Sequence, residues 1–237
     1  MLGGKALEVM LKQAGHDVRA NHFNYVIATP GHSMKAEYVN SLIETIRWIQ
    51  SEGKTFTFLN RYSSFVPTAR ELTAIDSPGH NYDTNSIASG KYTYDVIVWI
   101  DSDIEWTAED FKNLVSSDKE VISGLYQLDW AGSVAVGYPN RIGTPTRVNK
   151  VEFLLHDEPI EVGGVGFGFV AMKSGVFESI PRPWFLIGKV LWKEGEDLRV
   201  NLGEDYSWCE RAKAAGYTIW VDPNIKVKHH KETVYEV

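Results

Sequence analysis

Val96-Ile97-Val98-Trp99-Ile100 runs without a polar side chain into Asp101-Ser102-Asp103. Five consecutive apolar residues, four of them β-branched, read as a buried strand of an α/β sheet. Two carboxylates at i and i+2 behind it would project to one side of the exit turn, where they can hold a hard divalent cation against a diphosphate. An ordinary polar turn can carry the same tripeptide. Its weight therefore comes from its place at the end of the strand.

Working outward, the upstream segments alternate strand and helix. Residues 24–28 read as a first strand ending at Thr29-Pro30-Gly31. Residues 35–50 read as an amphipathic helix with Val39, Leu42, Ile43, Ile46 and Ile49 on one side, and 55–59 as a second strand, which together make a βαβ opening. The stretch 75–90, with Asp76-Ser77-Pro78-Gly79 and several Asn and Ser, reads as a surface loop. Downstream, Thr107 caps a helix over 108–115 with Asp110 as the reciprocal acid, and 120–125 returns as a strand. The polar stretch 128–150 reads as loops or short edge strands between two halves.

The chain has 237 residues, 43% apolar and 23% charged, enough for a sizeable core without covalent staples. Cys209 is the only cysteine, which excludes an intrachain disulfide framework, and no Cys/His cluster has zinc spacing. Residues 1–20 carry Lys5, Glu8, Lys12, Asp17 and Arg19 and no apolar signal core, and no stretch approaches the ~20 apolar residues of a membrane span. A soluble cytoplasmic protein without a transmembrane segment is the expectation. The net charge of −7 does not favour nucleic acid as a partner, although a local basic patch is compatible with it.

Two motifs mark the second half. In Val162-Gly163-Gly164-Val165-Gly166-Phe167-Gly168-Phe169 the glycines allow a backbone to pass close to a ligand, but no Gly-Lys-Ser/Thr follows and this is no phosphate loop. A strand bulge is the other reading, and Trp184 is either core or an aromatic platform for a sugar face. In Gly203-Glu204-Asp205, with Trp208, Ala212 and Ala215 at helical spacing and Gly216 as a stop, the two acids fall in the first turn of a helix. They either serve the helix end or supply a carboxylate that accepts a proton from a hydroxyl. Val227-Lys228-His229-His230 closes a strand, and imidazole is a plausible extra ligand for a Mn²⁺-like ion.

In order and spacing, Thr29-Pro30, Arg70, Ile100-Asp101-Ser102-Asp103, Gly164 to Phe169, Pro183-Trp184-Phe185, Gly203-Glu204-Asp205 and His229 together resemble the GT-A-fold glycosyltransferases, family 2-like members of bacterial and viral type. The resemblance runs from Tyr25 to His230 and departs from the family at Glu71, where Asn often stands. It implies an α/β, Rossmann-like GT-A fold with a mixed, mainly parallel sheet flanked by helices. One domain over 23–237 would hold a donor half, 23–127, and an acceptor half, 128–237, after an N-terminal extension over 1–22.

The roles follow from the resemblance. Asp101, Asp103 and His229 would be the metal set, for Mn²⁺ or Mg²⁺, with Asp101 at the ribose or a metal-bound water. Thr29, Pro30, Arg70 and Ser102 would complete the donor site, Thr29 and Pro30 at the base and Arg70 at the diphosphate. Gly166, Phe167 and Trp184 would face the acceptor. Asp205 would be the general base of an inverting transfer, with Glu204 in reserve, although retention is open. The donor would be a nucleoside diphosphate sugar, a UDP-sugar first, and the acceptor a hydroxyl on a glycan, a lipid-linked carrier or a modified base. The rival readings are a nucleotidyltransferase, which needs an Arg/Lys-bearing glycine loop that Thr29-Pro30-Gly31-His32-Ser33 lacks, and a non-catalytic carbohydrate-binding or scaffold protein. Trp130, Trp184 and Trp192 are the aromatic candidates for a sugar or lipid face.

Overall fold

The computed structural model describes residues 22–77, 84–137, 149–153, 155–191 and 199–231. The N-terminal extension up to residue 21, most of the polar stretch after 137, and Trp192 lie outside the described residues. His22, placed with the N-terminal extension in the sequence reading, pairs with Thr93 in the first described strand.

Strand β1 (His22–Ala28) leads through helix α1 (Ala36–Ser51) to β2 (Phe56–Leu59), and helix α2 (Val66–Ile75) precedes the decisive strand β3 (Thr93–Ile100). The two-residue β4 (Ile104–Glu105), helix α3 (Ala108–Ser116) and β5 (Val121–Leu125) complete the first half. The second half contains β6 (Val136–Gly137), β7 (Ile160–Val162), β8 (Gly164–Val165), β9 (Phe169–Lys173) and the single turn α4 (Val176–Ser179). Then come β10 (Gly188–Leu191), β11 (Arg199–Leu202), helix α5 (Glu204–Ala214), β12 (Ile219–Lys226) and β13 (Lys228–His229).

Seven strands form one sheet in the order β2-β1-β3-β9-β5-β12-β7. β2, β1, β3, β5 and β12 share a direction; β9 and β7 oppose it. The two halves read from the sequence are therefore one layer. β9 is inserted between β3 and β5, and its register with β3, Ile100 opposite Phe169, brings the glycine-rich segment to the exit turn.

Period-two alternation in β3 divides the core between the two faces of the sheet. Ile97 and Trp99 join the cluster with Phe167, Phe177, Trp184 and Trp208, while Val96, Val98 and Ile100 join the one with Tyr38, Leu42, Trp106, Phe111 and Phe169. Helix α1 supplies Tyr38, Val39, Leu42, Ile46 and Ile49 to the second cluster, as its periodicity predicts, and Ile43 packs at its margin. Thr107 and Asp110 form the expected reciprocal capping box at the start of α3. Helix α2 is the element that the loop-like composition around it hid. Its Pro67 stands in the first turn, where a missing N–H costs nothing. No described helix is long and apolar enough to cross a membrane.

Candidate active site

The carboxyl ends of β1 and β3 open on a cleft of about 450 Å³ lined by Ser33, Lys35, Ser102, Asp103, His230 and Lys231. That is the end of an open α/β sheet at which ligands bind. Asp103 leaves the exit turn toward the last strand: its Oδ2 lies 3.1 Å from Nε2 of His229, 126 positions later in the chain. Pairing of β13 with β4, His229 opposite Ile104, makes this meeting possible. The neighbouring His230 pairs in the same way with Glu105, 2.6 Å away. Although partial burial opposes it, the His229 hydrogen bond and charge hold the Asp103 carboxyl below the ordinary range, and the same bond raises the His229 imidazole.

Asp101 is engaged differently. Its amide donates to the Gly168 carbonyl (3.0 Å), and its carboxylate meets Nη2 of Arg70 at 3.0 Å. The expectation that Asp101 and Asp103 present one shared face to a cation is thus corrected: Asp101 continues the strand's alternation toward Trp99 and Arg70, while Asp103, beyond the turn, faces His229. Asp101 belongs to a second group of charges. Arg70 also bonds Glu204 through Nε (3.1 Å), with its guanidinium over the rings of Phe167 and Trp99. Its side chain is 5% exposed and its Nη1 has no partner among the described residues. Arg70 is thus a buried charge and not a surface one.

Asp205 completes this group. Burial first, and then the neighbouring Glu204 charge, raise its carboxyl from the ordinary 3.8 to about 6 against the pull of Arg70 and of the Tyr206 amide, which donates to Oδ1 (2.7 Å). No side chain caps α5: its N-cap is Gly203, where a Cβ would lie 2.8 Å from Asp205 Oδ1. Both acids stand in the first turn of α5, as expected, but they are used differently: Asp205 accepts the first-turn Tyr206 amide and so serves the helix end, while Glu204 is engaged by Arg70.

Four other expected site residues are placed in the core. Thr29 is fully buried and its hydroxyl is taken up by Tyr38 at 2.5 Å, so its side chain does not line the cleft. Pro30 beside it is half-buried. Phe167 and Trp184 are fully buried; Trp184 Nε1 donates to the Phe177 and Ile180 carbonyls, and neither ring face is open to a sugar. Gly166 faces protein, not ligand. A Cβ there would stand 2.1 Å from the Tyr126 hydroxyl and 2.9 Å from Ala135 Cβ, and one at Gly168 would stand 2.6 Å from Tyr126. The glycine-rich segment is a slot for a tyrosine of the same chain. Gly166→Ala is accordingly expected to destabilise the fold by about 1–3 kcal/mol, read by urea denaturation; an unchanged midpoint would contradict the slot.

Some residues of the site were missed in the sequence. Lys35 and Lys231 line the cleft as cations, and the signal for Lys35 lay just beyond the loop judged to lack one. His32 and Tyr62, at the exits of β1 and β2, form an edge-to-face pair at 5.0 Å, and Tyr62 is 56% exposed. Glu71, the departure from the family pattern, has a structural use. It bonds Nε of Arg182 (2.9 Å) and the amide of Trp184 (2.9 Å), pinning 182–184 to α2 next to Arg70.

The donor set suits a divalent cation at Asp103 and His229. Nδ1 of His229 lies 2.9 Å from the Gln127 carbonyl, which only accepts, so Nδ1 carries a proton; Nε2, which donates to Asp103 in this structure, would give up its proton to offer a lone pair to a bound cation. A carboxylate and an imidazole are both ligand types for a Mn²⁺-like ion, and the two are already brought together by their hydrogen bond. No group of three or more His, Cys, Asp or Glu converges among the described residues, so phosphate and water oxygens would fill the remaining positions.

A mixed sheet of this order, flanked by helices and with its carboxylates at the exit of β3, is the GT-A type of fold. GalNAc-T7, in a crystal structure with UDP, GalNAc and Mn²⁺, is similar over 87% of this chain and 43% of that one, at 11% identity and a TM-score of 0.52. The chain therefore spans less than half of that protein, and the likeness concerns the fold. A197 from STIV (18% identity, 90% of this chain and 97% of that one, TM-score 0.49) and the catalytic domain of Drosophila β1,4-galactosyltransferase 7 in complex with xylobiose (12%, 88% and 71%, TM-score 0.46) are also similar in shape. No protein-family model and no curated protein matches the sequence.

Proposed function

We propose that this chain is a metal-dependent glycosyltransferase that moves a sugar from a nucleoside diphosphate to a hydroxyl acceptor with inversion. The observation that carries the reading is the meeting of two charge groups from distant segments: Asp103 with His229 at the cleft, and Asp205 poised near pH 6 beside the Asp101–Arg70–Glu204 bridge. A carboxyl at about 6 suits general-base work at neutral pH.

Asp103 and His229 would hold Mn²⁺ or Mg²⁺, which when bound neutralises charge on the departing diphosphate. Lys35 and Lys231 would add positive charge in the same cleft. The exposed His32–Tyr62 pair replaces buried Thr29 as the candidate contact for the base. Asp205 would accept the acceptor's hydroxyl proton while that oxygen bonds to the anomeric carbon. The bond from this carbon to the diphosphate oxygen breaks, and the nucleoside diphosphate leaves with the electron pair. Glu204 would hold Arg70 and take no proton. The UDP and Mn²⁺ in the GalNAc-T7 structure support a UDP-sugar and manganese as the first pair to try.

The test is a panel of nucleoside diphosphate sugars with and without Mn²⁺. A donor at a hundredfold excess over its Kd should stabilise the protein by about 2.7 kcal/mol, several degrees in Tm, only with metal and not in Asp103→Ala. Slow metal-dependent release of nucleoside diphosphate from that donor should accompany it. A folded protein that neither binds nor hydrolyses any donor would refute transfer and favour a binding or scaffold role.

A further inference from the structure

Tyr126, directly after β5, touches both ends of the candidate metal site although it lies in neither. Its hydroxyl accepts the Gly168 N–H (3.1 Å), and the Gly168 carbonyl in turn accepts the Asp101 N–H (3.0 Å) at the start of the exit turn. Its ring stands edge-to-face on His229, with centroids 5.6 Å apart and planes at 89°. The side chain is 7% exposed, and two glycines, 166 and 168, leave no room for a Cβ beside it. A buried tyrosine for which two backbone positions must be glycine has one available orientation.

The carboxylate turn and the histidine come from segments 126 positions apart. Besides its bond to Asp103 itself, His229 is held among the described residues through Gln127, the residue after Tyr126, and through the two-residue pairing of β13 with β4, beside which the His230 amide donates to the Asp103 carbonyl (2.8 Å). A two-residue ladder is too short to fix a ring to the tolerance that metal ligation needs, about 0.5 Å. We propose that Tyr126 is a positioning residue for the divalent cation, setting the distance between the Asp101–Asp103 turn and the His229 imidazole through its hydroxyl at one end and its ring at the other. The inference rests on the metal site proposed above and adds a residue that no motif of the sequence marked.

The experiment measures Mn²⁺ affinity directly, by electron paramagnetic resonance of free Mn²⁺ in the presence of a nucleoside diphosphate, well below the Tm of every variant. Tyr126→Phe keeps the ring and removes the hydroxyl. Its Mn²⁺ Kd should rise about tenfold, the range seen when groups behind metal ligands are removed. Tyr126→Leu, losing the ring as well, should weaken binding further, and Asp205→Asn should bind like the wild type. A merely structural tyrosine would lower Tm in Tyr126→Phe and leave the Kd within twofold, which overturns the proposal. If neither variant folds, wild-type protein labelled on its tyrosine rings decides. Bound Mn²⁺ should broaden the Tyr126 signal, and a sharp Tyr126 signal with Mn²⁺ bound overturns the proposal. A wild type that binds no Mn²⁺ would instead remove the metal site itself, and this inference with it.

Discussion

Asp205→Asn should lower sugar transfer by 10²–10⁴-fold and at the same time make the folded protein more stable at neutral pH. The loss expected is that of the proposed general base. The gain follows from the same burial that tunes it. A carboxyl raised from 3.8 to about 6 on folding binds its proton more tightly in the native state than in the unfolded chain. Stability from this group is complete below about pH 4 and is lost as pH rises through 6. At 1.36 kcal/mol per unit, the cost of the native carboxylate at pH 7.5 reaches about 3 kcal/mol. Asn carries no charge and keeps an acceptor for the Tyr206 amide, so the variant should gain up to that amount at pH 7.5 and nothing at pH 4, in denaturation series at both. Wild-type kcat/KM should rise tenfold per pH unit below 6 and level above it. Glu204→Gln should disturb transfer less, because its carboxylate is held by Arg70. A variant that transfers normally, or a stability difference that does not depend on pH, would remove Asp205 from the role.

Arg70→Met should be the most damaging single change to the fold at this site. The guanidinium is the only cation bonded to Asp101 and Glu204 among the described residues, with Asp205 adding a third carboxylate nearby. Its removal leaves buried charge uncompensated, which costs about 3 kcal/mol or more. Because the loss is carried by ionised carboxylates, it should be larger at pH 8 than at pH 5, where protonation relieves their repulsion. Urea midpoints at the two pH values measure the difference. A uniform loss below 1 kcal/mol would mean that the bridge is solvated and weak.

The two substitutions probe positions that the sequence announced to different degrees. Asp205 was legible because an acid pair behind Gly203, before a helical run, has few uses. Its pKa was not, since that depends on what covers the helix end. Arg70 was legible as a residue but not in its environment: in Pro67-Thr68-Ala69-Arg70-Glu71 nothing local distinguishes an exposed charge from a buried bridge. Trp184 and Phe167 failed in the opposite sense. An aromatic beside glycine or proline fits a ligand platform and a core equally well, and packing against Phe177 and Trp208 decides for the core.

By itself the sequence determined the βαβ opening, the strands β3 and β5, the capping box of α3 and the exit-turn carboxylates, all of them set by periodicity and turn chemistry within a few residues. Only the tertiary structure decided that β9 enters the sheet between β3 and β5, that Asp101 serves Arg70 while Asp103 serves His229, and that the glycines make room for Tyr126. These are contacts across 31 to 126 positions, between groups whose partners are chosen by sheet order and burial. No local pattern encodes which distant group will neutralise a charge or fill a slot; the packed core does, because it leaves each buried polar atom few partners within reach.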